Sequence, residues 1–321
     1  MHAALDIFRA LADPTRLRIV TLLGSMELSV GELAQVLGQS QPRVSRHVRI
    51  LCAAGLAERR KEGSWVFLTL GRAGRIASVM RAVTALTRLD GDLWAVADAA
   101  RLAAVRADRA ASAAQWFEAH AGEWDAIRRL HVADEQVETA MAAVLGDTPV
   151  RGLIDIGTGT GRMLELFGGR AEHALGIDRS SEMLRLARAK LADQGVNAEL
   201  RQADLYALPL DDGAADVAIL HHVLHFAQQP GAAVTEAARV LGTRGRLLIA
   251  DFAPHDREEL RSRDAHTRLG FSDAQIAQWF DAAGLTLART ETLEGGELTV
   301  KVWLGAKAGH GIAGRHLREV A

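Results

Sequence analysis

The sequence has few of the residues that crosslink or interrupt a fold. Its single cysteine, Cys52, excludes an intramolecular disulfide. It has only six prolines, and no low-complexity tract dominates, so we do not expect disorder as the main state. No apolar run approaches the roughly 20 residues that a membrane helix needs. The first residues lack a basic segment followed by an apolar one, so we expect a cytoplasmic protein with no membrane partner.

The chain does have enough apolar residues and length for two packed domains. Apolar residues make up 49% of the 321 positions. Charge is unevenly placed: residues 1–90 contain 13 Lys and Arg against 7 Asp and Glu, whereas the remainder contains 25 against 33. A basic first third followed by an acidic remainder predicts two domains with different partners.

The basic first third has the pattern of short helices followed by a hairpin. Asp13, Ser29 and Ser40 are each predicted to cap the start of a helix. Two β-type stretches follow, at residues 56–61 and 64–70. Two short helices with a tight turn between them predict a helix-turn-helix, and the basic hairpin predicts a wing beside it.

The second helix of this motif, residues 41–53, has two different faces. Val44, Val48 and Leu51 share one narrow stripe that should face the core. The opposite face carries arginines, which bind phosphates and base edges. The candidate DNA-contacting residues of this helix and of the wing are Gln41, Arg43, Ser45, Arg46, Arg49, Arg59, Arg60 and Lys61.

The segments LADPTRLRIVTLL and SVGELAQVLGQSQPRVSRHVRILCAAGLAERRKEGSWVFLTL resemble the ArsR-type winged-helix repressors. The resemblance implies a homodimer, formed through the first helix and the helix near residues 74–90, on a pseudo-palindromic operator in double-stranded DNA. The metal-sensing sites of that family are not matched. Residues 27–31 lack its cysteines, and residues 74–89 contain neither an acid nor a histidine. We therefore predict no metal, and we interpret Cys52 as a small core residue.

From Val150 onward, short apolar runs alternate with helix-like stretches. The predicted strands cover residues 152–156, 173–178, 198–202, 215–220, 245–251, 285–293 and 297–304. This alternation is typical of a parallel sheet with helices on both faces. The last two runs predict a closing hairpin with antiparallel pairing.

A glycine-rich turn follows the first of these strands. Asp155 lies two positions before Gly157-Thr158-Gly159-Thr160-Gly161, in a strand–turn–helix setting. Asp178 ends the second strand, 21 residues after Gly157, and Asp204 follows the third. Glycines allow close backbone approach, and an acid at this spacing reaches ribose hydroxyls. These residues predict one crevice for a nucleotide-like ligand.

The motifs DIGTGTG, GID, QADLYALP and DVAILHHVLHF resemble those of class I S-adenosylmethionine-dependent methyltransferases, nearest the ubiquinone and menaquinone C-methyltransferase-like group. The resemblance implies that Asp155 and the glycine turn hold the methionine part, Asp178 the ribose, and Asp204 with Leu205 the adenine of S-adenosylmethionine or its product S-adenosylhomocysteine. The implied cofactor-binding residues are Asp155, Gly157, Thr158, Gly159, Gly161, Asp178, Arg179, Asp204, Leu205 and His221.

Catalytic and lid residues have weaker signals. Methyl transfer can depend on positioning alone, so a base is not compulsory. The candidate bases are His221, His222 and His225, with simple packing as the alternative for each. The candidate lid residues are Trp116, Trp124, Arg128 and His131, for which core packing is again the alternative.

The predicted fold class is multidomain. It combines a winged helix, mostly α with a β-hairpin wing, and an α/β Rossmann-like methyltransferase sheet of seven strands with an antiparallel final strand. The predicted domains are a DNA-binding and dimerisation domain (1–90), a helical linker and lid (91–145), a methyltransferase domain (146–305) and a mobile tail (306–321).

Two functional hypotheses remain open from the sequence. The first is a DNA-binding regulator with an active methyltransferase domain for a small-molecule acceptor. The second is a sensor in which S-adenosylmethionine or S-adenosylhomocysteine binds without turnover and controls operator binding. Arsenite methylation is rejected because the methyltransferase part has no thiol. DNA methylation is disfavoured because LHHVLH stands where an Asn/Asp-Pro-Pro-Tyr/Phe signature would follow the fourth strand.

Overall fold

A computed structural model describes residues 2–62, 65–71, 75–89, 93–120, 134–147, 150–294 and 296–307. The chain divides into two compact units, one formed by residues 1–113 together with 256–258 and the other by residues 114–255 together with 259–321. None of the helices in these described ranges is long and apolar enough to cross a membrane.

The first unit is mostly helical. Its elements are α1 (His2–Leu11), α2 (Pro14–Ser25), β1 (Leu28–Ser29), α3 (Val30–Leu37), α4 (Gln41–Ala53), β2 (Ala57–Glu62), β3 (Trp65–Leu70), α5 (Arg75–Leu89) and the beginning of α6 (Leu93–His120). The three strands form an antiparallel sheet in the order β1-β3-β2. The predicted winged helix is confirmed, and β1 is a short strand that the sequence pattern did not indicate.

The helix starts follow the predicted caps, with one exception. The Asp13 carboxylate accepts from the backbone N–H of Arg16 at 3.0 Å. Ser29 and Glu32 form a reciprocal capping box at the start of α3. Ser40 occupies the capping position of α4, but its side chain makes no capping hydrogen bond, so this predicted contact is wrong. Pro42, in the first turn of α4, has no backbone N–H that would need an acceptor, which reduces the need for a cap.

The core of the first unit extends into the predicted linker. The predicted stripe of Val44, Val48 and Leu51 is fully buried. Leu102 and Val105 of α6 pack into the same cluster. The first unit therefore reaches residue 113, beyond the domain end expected at residue 90, because an apolar face of α6 is buried there.

A buried ion pair holds α6 to the helix-turn-helix. The Arg18 guanidinium donates to both carboxylate oxygens of Asp98 at 2.6 Å, and its Nη2 also reaches the Leu37 carbonyl at 3.4 Å. Arg101 donates to the Val36 carbonyl at 3.2 Å. Two arginines thus satisfy carbonyls at the end of α3, just before the turn into α4.

The second unit contains a seven-stranded sheet flanked by helices. Its elements are α7 (Asp134–Leu145), β4 (Val150–Ile156), α8 (Arg162–Phe167), β5 (Ala171–Asp178), α9 (Ser181–Asp193), β6 (Glu199–Gln202), β7 (Ala215–His221), α10 (Pro230–Arg239), β8 (Leu241–Phe252), α11 (Glu259–Arg263), α12 (Asp273–Ala282), β9 (Leu285–Leu293) and β10 (Val300–Lys307). The strand order is β6-β5-β4-β7-β8-β10-β9, and β10 is antiparallel to both neighbours. This confirms the predicted sheet and its reversed final strand.

Successive residues of the central strands alternate between the two faces of the sheet. Val217 and Ile219 of β7 belong to one apolar cluster, while Ala218 and Leu220 belong to the other. Both faces are therefore buried, as expected for parallel strands covered by helices. Side chains that must stay accessible to a ligand therefore lie at the strand ends.

Several expectations fall outside the described residues. Trp124, Arg128 and His131 lie there, as does most of the expected tail beyond residue 307. Trp116 lies within α6, but its side chain is outside the description. The lid and the tail stay predictions.

We predict that Asp98→Asn destabilises the first unit by about 2–3 kcal/mol, because it leaves the Arg18 cation poorly paired in a largely buried position. Hydrogen exchange measured by mass spectrometry should show faster exchange in α2 and in the first half of α6. The matched control is Asp6→Asn, whose pair with Arg9 is exposed and should contribute little. Equal protection in both variants would contradict the role given to Asp98.

Candidate functional sites

The exposed face of α4 carries the predicted DNA-contacting residues. Gln41, Arg43, Arg46 and Arg49 are exposed, and Ser45 is partly exposed. Because the Val44 side of the helix is buried, α4 can present only this arginine face to a partner. The arrangement fits a helix that enters a DNA groove.

The wing residues divide into two kinds. Arg59 and Lys61 are exposed, and their alternate positions place both on one side of β2. Arg60 instead forms an ion pair with Glu27 and is only partly exposed. The expected three-residue basic wing is therefore reduced to two exposed cations, because strand alternation turns Arg60 toward Glu27.

In the second unit, the glycine turn follows β4 with a left-handed backbone. The φ angles of Gly157, Gly159 and Gly161 are +74°, +51° and +85°, which side chains rarely adopt. The backbone N–H groups of Gly157 and Thr158 donate to the Ile177 carbonyl at 2.7 and 2.9 Å. The turn after β4 is thereby attached to the end of β5.

Asp178 joins this turn to the next one. Its carboxylate accepts from the N–H of Gly159 at 2.9 Å and from the N–H of Ser180 at 2.8 Å. Burial raises the pKa of Asp178, and the backbone donors, Arg179 among them, lower it in part. The predicted ribose acid is thus also the residue that positions the glycine turn.

The remaining predicted cofactor residues lie at three strand ends. Asp155 is 1% exposed near the end of β4. After β6, the exposed Asp204 accepts from the Tyr206 N–H at 2.9 Å, which shapes the turn that contains Leu205. The Arg179 side chain is exposed, and its carbonyl accepts from Gln202 at 2.9 Å. Since β6, β5 and β4 are adjacent and parallel, these groups share one edge of the sheet.

The three predicted catalytic histidines follow β7 and are all buried. His221 is its last residue, and His222 has a left-handed backbone with φ +53°. His225 lies one turn further on, with its Nδ1 2.8 Å from Oδ1 of Asp251. Asp251 has no exposed surface, and burial raises its pKa to about 6 although the charge of His222 opposes this.

Asp251 and two further histidines of this region were not predicted from the sequence. The His266 ring lies 4.3 Å from that of His225, and the His255 ring lies 6.4 Å from that of His266, centre to centre. Asp251 carried a signal, because it is an acid at the end of an apolar run, like Asp178. His255 and His266 follow β8 in irregular segments, where spacing gives no indication of proximity.

Comparison with known proteins gives a separate match for each unit. The family described as bacterial regulatory protein, arsR family, matches residues 13–59. The family described as methyltransferase domain matches residues 154–249. The second match begins in β4 and ends in β8, so it includes the strand ends described above.

Curated relatives and solved structures agree with these matches. The arsenical resistance operon repressor of Escherichia coli is 48% identical over 21% of this chain and 57% of its own. Demethylmenaquinone methyltransferase of Thermus thermophilus is 36% identical over 36% of this chain and 53% of its own. The chain thus spans about half the length of these relatives. A SAM-dependent methyltransferase of Thermotoga maritima has a TM-score of 0.50 and 21% identity, covering 61% of this chain and 99% of that one, which shows the shared fold.

We predict that Gly157→Ala destabilises the second unit by about 2–4 kcal/mol. A Cβ there would lie 2.5 Å from Val223, and the backbone would also be strained at positive φ. Gly195→Ala has a similar φ of +68° with nothing within 4 Å, so it should cost only about 1–2 kcal/mol. Denaturant midpoints compare the two; equal shifts would mean that Val223 moves aside freely.

Proposed function

We propose that the chain is a DNA-binding regulator whose second domain transfers a methyl group from S-adenosylmethionine to a small-molecule acceptor. Through its first domain the chain belongs to the arsR family of bacterial regulators, and a class I methyltransferase domain follows it. The observation that carries the enzymatic part is the edge where β4, β5 and β6 end. There, a left-handed glycine turn lies beside the carboxylate of Asp178.

The residues at this edge fit S-adenosylmethionine. In the proposal, Asp155 and the turn 157–161 hold the charged amino acid end, Asp178 the ribose, and Asp204 with Leu205 the adenine. When bound, the cofactor supplies a methyl group on a cationic sulfur; the chain's task is to orient the acceptor and exclude water.

The acceptor side of the site lies beyond β7. Val223 is against Gly157, so the segment that contains the three histidines adjoins the glycine turn directly. In the proposal, His221 is next to the cofactor, and His222 and His225 line the acceptor side. Ordering and desolvation of the acceptor can supply most of the rate, so no proton transfer by these histidines is required.

The first unit is proposed to bind operator DNA as a homodimer. The exposed face of α4 would enter the major groove, with Arg59 and Lys61 on the phosphate backbone. In such dimers the two reading helices lie about 34 Å apart, one helical turn of DNA. By the family resemblance, α1 and α5 would form the dimer interface.

DNA binding should separate base-reading from phosphate-binding residues. Arg43→Ala should cost about 1–3 kcal/mol on operator DNA and relax specificity, because it removes a base contact. Lys61→Ala should weaken binding to operator and random DNA alike and reduce the salt slope by about one unit. Fluorescence anisotropy over a salt series measures both.

Arg60→Ala is the control for the wing. Because Arg60 is paired with Glu27 rather than exposed, its removal should leave the salt slope unchanged. A slope reduced as strongly as in Lys61→Ala would show that Arg60 leaves Glu27 for the phosphate backbone, contrary to the proposed interface.

Cofactor binding should depend on Asp178. We expect Asp178→Ala to weaken S-adenosylhomocysteine binding about 10- to 100-fold, because it removes the acceptor for the ribose and loosens the glycine turn. Isothermal titration calorimetry measures the affinity, and Asp211→Ala, an exposed acid of the same unit, is the control. Unchanged affinity in Asp178→Ala would refute the site assignment.

Turnover distinguishes the enzyme from a sensor. An enzyme should transfer a labelled methyl group from S-adenosylmethionine to small molecules of a cell extract. A sensor would bind both S-adenosylmethionine and S-adenosylhomocysteine without transfer, and operator DNA would change their affinity by the same factor by which they change DNA affinity, typically about 5- to 150-fold.

A further inference from the structure

A group of polar side chains lies beyond the ends of β7 and β8. It consists of His222, His225, Asp251, His255 and His266, and we call it the histidine cluster. His222 and His225 belong to the turn after β7, Asp251 is near the end of β8, and the other two follow β8 along the chain. The proposed methyl transfer needs none of these imidazoles as a base, so another role has to be considered.

Three members of the cluster meet closely. One possible ligand atom from each of His222, His225 and Asp251 lies within 4.8 Å of those of the other two. Nδ1 of His225 lies 2.8 Å from Oδ1 of Asp251. The exposures are 6%, 2% and 0%, so all three groups are withdrawn from bulk solvent.

We propose that His222, His225 and Asp251 bind one divalent first-row transition metal ion of the Zn²⁺, Fe²⁺ or Co²⁺ type. The site lies in the second unit, and neither the arsR family match nor the methyltransferase match assigns it. Binding of the ion needs only these three side chains, whereas its role at the acceptor rests on the proposed methyl transfer.

The ligand set selects this class of ion. Two imidazole nitrogens and one carboxylate oxygen suit Zn²⁺ and Fe²⁺, whereas Mg²⁺ and Ca²⁺ prefer oxygen ligands alone. Soft ions that need thiolates are excluded, because the one cysteine of the chain lies in α4. Three protein ligands leave at least one coordination position for water or substrate, as in catalytic zinc sites.

The spacing is close to what one ion requires. With bonds of about 2.1 Å, two ligand atoms on a tetrahedral ion lie roughly 3.4 Å apart. The 2.8 Å contact of His225 with Asp251 would open slightly, and the widest separation of 4.8 Å would shrink by about 1–2 Å.

The backbone holds the ligands in place before any ion binds. The His222 N–H donates to the Ala250 carbonyl at 2.8 Å, which joins the turn after β7 to β8. The Asp251 carboxylate accepts from the N–H groups of Phe252 and His225 at 2.8 and 3.2 Å. Such supporting hydrogen bonds orient metal-binding carboxylates and strengthen binding. A dication would also offset the cost of burying the Asp251 charge.

The position of the site suggests what the ion does. Val223, the residue after His222, packs against Gly157 of the cofactor turn. An ion held by His222 therefore lies on the acceptor side. Its open coordination position can take an oxygen or nitrogen of the acceptor and lower the pKa of that group.

The experiment uses untagged full-length protein freed of metal with a chelator. Calorimetry with Zn²⁺ should show one equivalent bound, and Co²⁺ should give a visible absorption spectrum of nitrogen and oxygen ligation without a thiolate band. His222→Asn, His225→Gln and Asp251→Asn should each weaken Zn²⁺ binding at least 10-fold. Asn is chosen at position 222 because it tolerates the left-handed backbone. His173→Gln, an exposed histidine of β5, is the matched control and should bind normally.

Each result decides the proposal. The absence of stoichiometric Zn²⁺ binding by the unaltered protein would overturn it and leave His225 and Asp251 as a hydrogen-bonded pair. So would equal affinity in the three ligand variants, or an equal loss in His173→Gln. Thermal unfolding of each variant, followed by circular dichroism, shows whether the second unit has kept its fold. If the buried variants do not fold, the Co²⁺ spectrum of the unaltered protein decides. The site is overturned if that spectrum contains a thiolate band, or if Co²⁺ gives no visible absorption from nitrogen and oxygen ligation.

Discussion

The carboxylate of Asp178 is the contact on which the second unit's candidate site depends. It accepts from Gly159 and Ser180 at the same time, so it holds the turn after β4 against the turn after β5. Together with the Ile177 carbonyl, which accepts from Gly157 and Thr158, this carboxylate supports the left-handed backbone of the glycine turn, and Gly157 of that turn packs against Val223. One partly buried acid thus joins the ends of β4 and β5, beside the segment that contains the histidines.

The first unit uses a buried charge for a similar purpose. Asp98 of α6 engages both ends of the Arg18 guanidinium, and Arg18 and Arg101 in turn bind the last carbonyls of α3. The helix that follows the winged helix in sequence is therefore part of its core. In both units, a carboxylate that would be costly to bury alone is stabilised by fixed donors, and it specifies how neighbouring segments are joined.

Much of the fold could be predicted from the sequence, because it depends on local patterns. The apolar stripe of α4, with Val44 facing inward and Arg43 outward, follows from the helical period. Alternating apolar runs and helices predicted the parallel sheet and the glycine turn at Gly157. Strand ends in such a sheet share one edge by topology, so the acids there could be recognised from their positions.

Contacts between side chains that are far apart in the chain were decided only by the tertiary structure. The sequence could not pair Arg18 with Asp98, or Arg60 with Glu27, because chain separation carries no information about such contacts. It could not reveal that the His225 ring contacts the Asp251 carboxylate either, since His225 lies in an irregular turn after β7, where no period fixes the direction of a side chain. Local periodicity determines which face a residue takes, whereas packing of distant segments determines the partner it finds on that face. The sequence by itself therefore determined the two domains and the shared edge where β4, β5 and β6 end, and only the folded chain assembled the histidine cluster.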